Sequence, residues 1–156
     1  MKRETWLPAA PASVRAARSL VRQAATEAGL DDACTWDLML ATSEAVANAI
    51  EHGTAWPNQC ILLTTTPSSR GLRIEVCDRG TFAEAPKPGA LEATCGRGIR
   101  IIRAVVDHLE VENGSDRTVV RFEKHTPLSS SIRPLPAPPP AGRRAATGSA
   151  SGGSRV

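Results

Sequence analysis

The segment from Ser43 to Gly53 constrains this chain most, because it places a carboxylate and a carboxamide four residues apart in apolar surroundings. Residues four apart on a helix lie on the same face. We therefore expect Glu44 and Asn48 to project together from one helix. Taken alone, such a pair is more often two polar residues on a solvated surface.

A second signature follows a strand-like segment. Asp78 and Gly80 come directly after residues 72–77, which are rich in β-branched and apolar side chains. An Asp-x-Gly sequence after a strand is often only a turn, because Asp bonds to nearby backbone and Gly accepts a positive φ. Its position between the helical pair and a later glycine motif is what favours a ligand site.

The third signature is Gly-x-Gly at the start of a helical pattern, where Gly96, Arg97 and Gly98 precede residues 99–106. A lone Gly-x-Gly is a weak signal. Backbone N–H groups at the start of a helix nevertheless attract anions. The three signatures, in this order and each on a suitable element, predict a nucleotide site.

The spacing of apolar residues predicts an α/β fold. Ser13 is a candidate N-cap for the first helix and Gly29 a candidate stop, whereas Asp31 and Asp32 begin a turn. We expect a two-layer sandwich in which a mixed, mostly antiparallel sheet carries helices on one face. The predicted helices are residues 13–28, 35–52 and 99–106, and the predicted strands are residues 59–66, 72–77, 109–111 and 118–122.

The second predicted helix carries two stripes. Glu44 and Asn48 lie along one of them, and Gly53 is expected to end the helix. The other stripe consists of Trp36, Leu40, Ser43, Ala47 and Ile50.

These features resemble a known family. From about residue 11 to residue 123 the chain is similar to the anti-sigma-factor serine kinases, a regulatory branch of the superfamily that contains gyrase, heat-shock chaperone, mismatch-repair and histidine-kinase ATPase domains. The resemblance implies the Bergerat-type ATP-binding fold. Its N box is matched by Glu44 and Asn48, its G1 box by Asp78 and Gly80, and its G2 box by Gly96 and Gly98.

The resemblance implies roles for the helical pair and for Asp78. In the family, the Asn at the position of Asn48 holds the Mg²⁺ that bridges the phosphates of ATP, and the Glu at the position of Glu44 is the general base. Asp78 would accept a hydrogen bond from the exocyclic amine of adenine, and Gly80 would let the backbone approach the base.

The glycines before the third helix are implied to bind phosphate. Gly96 and Gly98 would present backbone N–H groups, and Arg97 either adds a charged contact or is a solvated loop residue. One departure concerns the lid, residues 82–95, which is short. Thr81 and Phe82 also follow Gly80, where the family often has a second glycine.

Length and composition fit a single domain. The chain has 156 residues, of which 41% are hydrophobic and 3% aromatic, which suffices for one core built from aliphatic side chains. We expect an N-terminal extension at 1–10, the ATPase domain at 11–125, and a disordered tail at 126–156 rich in Pro, Ser and Arg. No apolar run reaches the roughly 18 residues of a membrane span, and no signal peptide is evident, so we expect a cytoplasmic protein.

The formal charge of +3 comes from the tail. From residue 126 onward there are four arginines and no acid, so residues 1–125 contain 15 basic and 16 acidic side chains. No basic stripe interleaved with aromatics occurs in the domain. We therefore expect no direct nucleic-acid partner and no membrane partner.

Among the cysteines and histidines, only Cys95 suggests further chemistry. Cys34, Cys60, Cys77 and Cys95 form no Cys-x-x-Cys motif, so a zinc site is not predicted. The first three are expected to pack as small hydrophobes, whereas Cys95 lies next to a predicted helix N-terminus, where a lowered thiol pKa would permit a redox role. No histidine lies on the exposed face of a dimerising helix, which argues against a phosphoacceptor histidine.

Two functions remain open at this stage. The resemblance implies an ATP-dependent serine-protein kinase that binds a sigma factor, phosphorylates an anti-sigma antagonist and acts as a homodimer. The alternative is a nucleotide-dependent binding regulator of the same fold that lacks phosphotransfer or has a partner other than a sigma factor.

Overall fold

The computed structural model describes residues 1–52, 59–78, 96–114 and 117–126, except for the side chain of residue 52. Helices and strands alternate irregularly along the chain. In chain order they are β1 (Arg3–Pro8), α1 (Ala12–Glu27), α2 (Asp32–His52), β2 (Cys60–Pro67), β3 (Gly71–Asp78), α3 (Arg97–Val105), β4 (His108–Asn113) and β5 (Thr118–His125).

The strands form one five-stranded sheet in the order β1-β2-β3-β5-β4. Every pairing among the described strands is antiparallel, so the expected mixed sheet is antiparallel in this part of the chain. The strand β1 was not predicted, since residues 1–10 were assigned to an extension. It is held at the edge of the sheet by pairing with β2, in the register Trp6 opposite Leu62.

The helices cover one face of the sheet, which confirms the two-layer α/β architecture. On β3 the side chains of Leu72, Ile74 and Val76 are buried beneath the helices. The helix α2 packs on β3 and β5, α1 packs on β1, β2 and β3, and α3 packs on α2 and β4. The alternate residues Arg73 and Glu75 lie on the opposite face, as the two-residue period of a strand requires.

The open face of the sheet is charged and paired. Arg73 Nη2 lies 3.1 Å from Glu123 Oε2, and Arg121 Nε lies 2.6 Å from Glu75 Oε2. Both pairs join β3 to β5 in the observed register. They place opposite charges on neighbouring strands, which is the arrangement that cross-strand pairing favours.

Two helix ends follow local chemistry. Gly29 adopts a φ of 74° after α1, a conformation that other residues rarely accept, which confirms its predicted role as a helix stop. Asp31 caps α2, because its Oδ1 accepts the Cys34 N–H at 2.7 Å. The prediction that Ser13 is the N-cap of α1 is wrong. The helix begins at Ala12, and the Ser13 hydroxyl donates instead to the Pro8 carbonyl at 2.6 Å.

The third helix is anchored at its far end by Lys124 of β5. Lys124 Nζ donates to the Val105 carbonyl at 2.8 Å and lies 2.7 Å from Asp37 Oδ2 of α2. Burial acts to lower the pKa of Lys124, but the Asp37 carboxylate outweighs it and the pKa is raised. Three elements are thereby fixed together at the end of α3 that is opposite to Gly98.

The buried stripe of α2 is formed by small and aliphatic residues, among them Leu38, Ala45 and Ala49. The stripe that contains Trp36 and Leu40 faces outward, and these two side chains are 63% and 43% exposed.

None of the helices in the described part of the chain has the length and apolar character that crossing a bilayer requires.

Some predictions concern residues outside the described ranges. They are the helix end at Gly53, the position of Gly80, the lid at 82–95 with Cys95, and the tail from residue 127 onward.

Candidate active site

The polar pair of α2 forms the centre of the candidate site. Glu44 and Asn48 are both half-buried, in contrast to the neighbouring Ala45 and Ala49, which are 1% and 3% exposed. The buried alanines hold this part of α2 on the core while the pair, one turn apart, remains partly accessible. The predicted common face for Glu44 and Asn48 is therefore observed.

Gly98, in the first turn of α3, lies directly against this pair. A Cβ atom at Gly98 would lie 2.8 Å from Asn48 Nδ2, 3.0 Å from Asn48 Oδ1 and 3.1 Å from Glu44 Oε2. Side-chain carbon atoms very rarely approach polar atoms so closely, so only glycine fits without a shift. The structure thus brings the second predicted glycine motif into contact with the helical pair, although the two are about 50 residues apart in sequence.

The start of α3 is open to an anion. Gly96 is the N-cap residue, with φ −54° and ψ 169°, and no side chain in the described ranges bonds to the first N–H groups of the helix. The first turn contains no acidic residue. Uncapped N–H groups and the positive end of the helix dipole favour negatively charged ligands. Unlike Gly98, Gly96 has no described atom within 4 Å of the position that a Cβ would take.

Arg97 is exposed between these two glycines. It forms no ion pair with any residue in the described ranges. Arg97 is the first residue of α3, and the charged contact predicted for it from the sequence stays a prediction.

Asp78 is the last residue of β3 and is only 7% exposed. It lies on the same side of the sheet as the buried Ile74 and Val76, and hence on the side that α2 covers. A carboxylate buried to this extent at a strand end is unusual, because charged residues are mostly exposed in folded proteins.

Thr118 is a neighbour of Asp78 that was not predicted from the sequence. It begins β5 directly opposite Asp78 in the register and is 1% exposed. Its hydroxyl donates to Asn113 Oδ1 at 3.4 Å. Thr118 becomes a neighbour of Asp78 through the register of β5 on β3. That register cannot be read from the sequence of either strand alone.

The cysteines contribute little to this site. Cys34 is buried, as predicted, and burial raises the pKa of its thiol to about 11. Burial also raises the pKa of Cys77, which is half-buried. The expectation that Cys60 packs as a small hydrophobe is wrong, since this residue is exposed at the start of β2.

Comparison with protein families identifies the chain. The family described as the histidine kinase-like ATPase domain matches residues 7–124. The chain belongs to this family. It therefore has an ATP-binding, kinase-like ATPase fold, as the resemblance in its sequence implied, and the match extends from the end of β1 through α1, α2 and α3 into β5.

Solved structures agree with the fold of this histidine kinase-like ATPase domain. The RsbU and RsbW domains of Rv1364c from Mycobacterium tuberculosis are similar, with a TM-score of 0.62 and 22% identity over 80% of this chain and 32% of that chain. The histidine kinase domain of a blue-light activated histidine kinase from Erythrobacter litoralis EL346 has a TM-score of 0.52 and 20% identity over 76% of this chain and 61% of that one. The chain thus spans less than two thirds of either protein chain. A comparison with curated proteins finds no match.

Proposed function

We propose that this protein is an ATP-binding anti-sigma factor with serine-protein kinase activity toward an anti-sigma antagonist, and that it regulates transcription by partner switching. The observation that carries the proposal is the contact of Gly98 with Asn48 and Glu44, because it assembles the predicted metal anchor, base and phosphate loop at one place. Support also comes from the sequence resemblance and from the likeness to the RsbU and RsbW domains of Rv1364c.

The proposed ATP site extends from Asp78 to the start of α3. Asp78 accepts a hydrogen bond from the adenine amine, and Gly80 lets the backbone approach the base. The N–H groups near Gly96 and Gly98 bind the phosphates, and Arg97 adds a positive charge.

Mg²⁺ fits the donor set of this site. The ion prefers oxygen ligands and keeps several waters, so one carboxamide oxygen with the phosphate oxygens of ATP suffices to hold it. Asn48 offers such an oxygen, half-buried and fixed against Gly98. Among the described residues no three His, Cys, Asp or Glu side chains meet to form a metal site of their own. When bound, the ion would neutralise charge on the phosphates.

Glu44 is proposed as the general base. Its carboxylate accepts the proton of the substrate serine hydroxyl, the serine oxygen forms a bond to the γ-phosphorus, and the bond to the β-γ bridging oxygen breaks to release ADP. A positioned base of this kind contributes a factor of about 10² to 10⁴ in rate. The position of Glu44, one turn before Asn48 and partly accessible, is suitable for this role.

The proposed partners are a sigma factor and its antagonist, in the cytoplasm, with the protein acting as a homodimer. No nucleic acid or membrane is included among the partners. In this scheme the sigma factor is released when the unphosphorylated antagonist takes its place, and phosphorylation of the antagonist reverses the exchange.

The proposal is tested by incubating the protein with ATP, Mg²⁺ and a candidate antagonist, and measuring phosphate on the antagonist by mass spectrometry. Phosphoserine in the wild-type reaction, and none with Glu44→Gln, would support the kinase. ATP binding without transfer to any antagonist would favour the alternative, a nucleotide-dependent regulator of the same fold without phosphotransfer or with a non-sigma partner. No ATP binding would refute both.

A further inference from the structure

A cavity of about 130 Å³ lies between α1 and the strands β1 and β2. Folded domains are close-packed and contain few spaces larger than a water molecule. A cavity of about 150 Å³ can hold benzene, whereas drug-sized ligands need sites of about 300 Å³ or more. This cavity is therefore sized for a small organic molecule. We call it the α1–β1 cavity, and its walls are formed by Arg3, Thr5, Leu20, Gln23, Leu63 and Thr65.

The floor of the α1–β1 cavity is set by the register of β1 on β2. Thr5 lies opposite Leu63, and Arg3 lies opposite Thr65, on the face of the sheet that α1 covers. Leu63 and Thr65 are 1% and 5% exposed. Threonine is shorter than the leucine and isoleucine side chains of the adjoining core, so space remains below Leu20 of α1.

Two hydroxyl groups border this space. Within the described ranges, neither Thr5 nor Thr65 forms a side-chain hydrogen bond. The Thr65 oxygen is nevertheless not sealed off by protein atoms. Buried hydroxyl groups are nearly always hydrogen-bonded to protein, to water or to a ligand. The floor of the cavity therefore favours an occupant that brings a hydrogen-bonding group to Thr65.

An ion pair stands at the edge of the cavity. Arg3 Nη1 of β1 lies 2.6 Å from Glu27 Oε2 of α1. Gln23, which lines the cavity together with Arg3, donates from Nε2 to Glu27 Oε1 at 3.0 Å. The side chains of Arg3 and Glu27 are 52% and 44% exposed. Because an ion pair with this exposure contributes little to stability, its two members can exchange each other for a ligand at low cost.

We propose that the α1–β1 cavity binds a small α-amino acid with a hydroxyl side chain, such as serine. The α-carboxylate pairs with Arg3 in place of Glu27, and the α-ammonium group donates to Glu27 in place of Arg3. The side-chain hydroxyl forms a hydrogen bond with Thr65, and the methylene group packs between Leu20 and Leu63. Serine has about as many heavy atoms as benzene, so its size suits the cavity.

The paired charges favour a zwitterion over a simple anion or cation. A carboxylate alone would compete with Glu27 for Arg3 and leave two negative charges side by side. An amine alone would likewise leave two positive charges together. A zwitterion supplies one partner for each charge, and the guanidinium can hold its carboxylate by two parallel hydrogen bonds. Larger side chains are excluded, since overpacking a site of this volume is unfavourable.

The six residues of the α1–β1 cavity are separate from those proposed to bind ATP, which lie on α2, on α3 and at the end of β3. The proposal therefore goes beyond the proposed kinase activity, and the two can fail independently. A bound amino acid bridges α1 and β1, so it should also raise the melting temperature in proportion to its affinity for the folded state.

The test titrates the full-length protein with L-serine and measures binding by calorimetry and by saturation-transfer NMR. We expect a dissociation constant below about 1 mM. L-Alanine, which lacks the hydroxyl, should bind about five- to tenfold more weakly. Propionate and glycerol, which lack the pair of opposite charges, should each bind at least about tenfold more weakly than L-serine.

Thr65→Val tests the floor of the cavity, because it keeps the shape of the side chain and removes the hydroxyl. L-Serine should then bind about five- to tenfold more weakly, whereas the affinity for L-alanine should stay within about twofold. The matched control is Thr66→Val, since Thr66 is the next residue of β2 and lies on the opposite face of the sheet. Its affinity for both amino acids should equal that of the wild type.

Arg3→Gln tests the charged edge and should weaken both amino acids at least about tenfold. Arg73→Gln is its control, because Arg73 has a similar exposure of 57% but lies on the open face of the sheet, where it pairs with Glu123. This control should bind L-serine as the wild type does. Circular dichroism and ATP calorimetry are recorded for every variant, so that loss of serine binding with normal folding and ATP binding locates the effect in the cavity.

The proposal is overturned if L-serine does not bind up to about 10 mM, or if L-alanine, propionate or glycerol binds equally well. It is also overturned if Thr65→Val retains the preference for serine over alanine. Benzene that binds more tightly than serine would show an apolar cavity only and would contradict the proposal. Serine binding that disappears when ATP is added, and survives in Arg3→Gln, would belong to the nucleotide site instead.

Discussion

Gly98 approaches the Asn48 carboxamide so closely that a Cβ atom on Gly98 would lie 2.8 Å from Asn48 Nδ2. The same atom would lie 3.1 Å from Glu44 Oε2, so a methyl group there would have to displace both polar side chains. This contact links the start of α3 to α2 and leads directly to a test of the site.

Gly98→Ala should weaken Mg²⁺-ATP binding by about tenfold or more, because small displacements of positioning groups have large effects on binding and reaction. The Gly98→Ala variant should still fold, because alanine is a better helix former than glycine. Arg103→Ala, at an exposed position in the last turn of the same helix, is the control. Calorimetry measures both affinities. Equal affinities for the two variants would show that the Gly98 contact does not shape the nucleotide site.

The sequence predicted the elements that carry their own periodicity. The helix of Glu44 and Asn48, the β2–β3 hairpin and the helix after Gly98 were all expected near their observed positions. Local spacing and turn chemistry are sufficient there, because each element's pattern extends over two or more turns or a complete strand pair.

The sequence could not predict features that depend on distant partners. Strand β1 has only one buried side chain, Leu7, and is fixed by pairing with β2 about 55 residues later in the sequence. Thr118 becomes a neighbour of Asp78 only through the register of β5 on β3. The exposure of Trp36 could not be predicted either, because a helical period shows which residues share a face but not which face is buried.

Asp78→Asn should weaken binding of adenine nucleotides while the fold remains intact. The carboxylate accepts hydrogen bonds at both oxygens, whereas the carboxamide presents a donor on one side. Loss of a hydrogen bond to a charged group costs about 1.5 to 3 kcal/mol, which corresponds to roughly tenfold to more than a hundredfold in affinity. Calorimetry with ATP gives the value. Glu75→Gln, on the opposite face of the same strand, is the control; if Asp78→Asn binds ATP as wild type does, the adenine assignment fails.

Asp31 should make the stability of α2 depend on pH. Its pKa is lowered from the ordinary 3.8, chiefly because its carboxylate accepts the Cys34 N–H. A carboxyl with a lowered pKa in the folded state contributes stability above its unfolded value, and this is lost as the pH falls through the folded value. The melting temperature of Asp31→Asn should therefore lie below that of wild type at neutral pH, and the gap should close between about pH 5 and about pH 2.

Glu51→Gln, near the other end of α2, serves as the comparison for that measurement, since no described hydrogen bond or ion pair involves Glu51. A gap for Asp31→Asn that stays constant across this pH range would contradict the capping role of the ionised carboxylate.

Cys34 and Cys60 should differ strongly in reactivity. Cys34 is 4% exposed, and burial raises the pKa of its thiol from the ordinary 9.0 to about 11. Its thiolate fraction at about pH 8 is therefore reduced roughly a hundredfold. Cys60 is exposed. Alkylation with iodoacetamide, followed by peptide mapping, should modify Cys60 at least about 100-fold faster. Comparable rates in the native protein, with both rapid in denaturant, would place Cys34 outside the core.

Glu44→Gln and Asn48→Ala should fail in different ways. Glu44→Gln keeps the shape of the side chain but removes the base, so Mg²⁺-ATP should bind normally while phosphotransfer falls by roughly 10² or more. Asn48→Ala removes the proposed metal anchor, so Mg²⁺-dependent ATP binding itself should fall. Calorimetry with and without Mg²⁺, together with single-turnover transfer to an antagonist, separates the two effects. Transfer by Glu44→Gln at the wild-type rate would exclude Glu44 as the base, and unchanged Mg²⁺ dependence in Asn48→Ala would exclude Asn48 as the anchor.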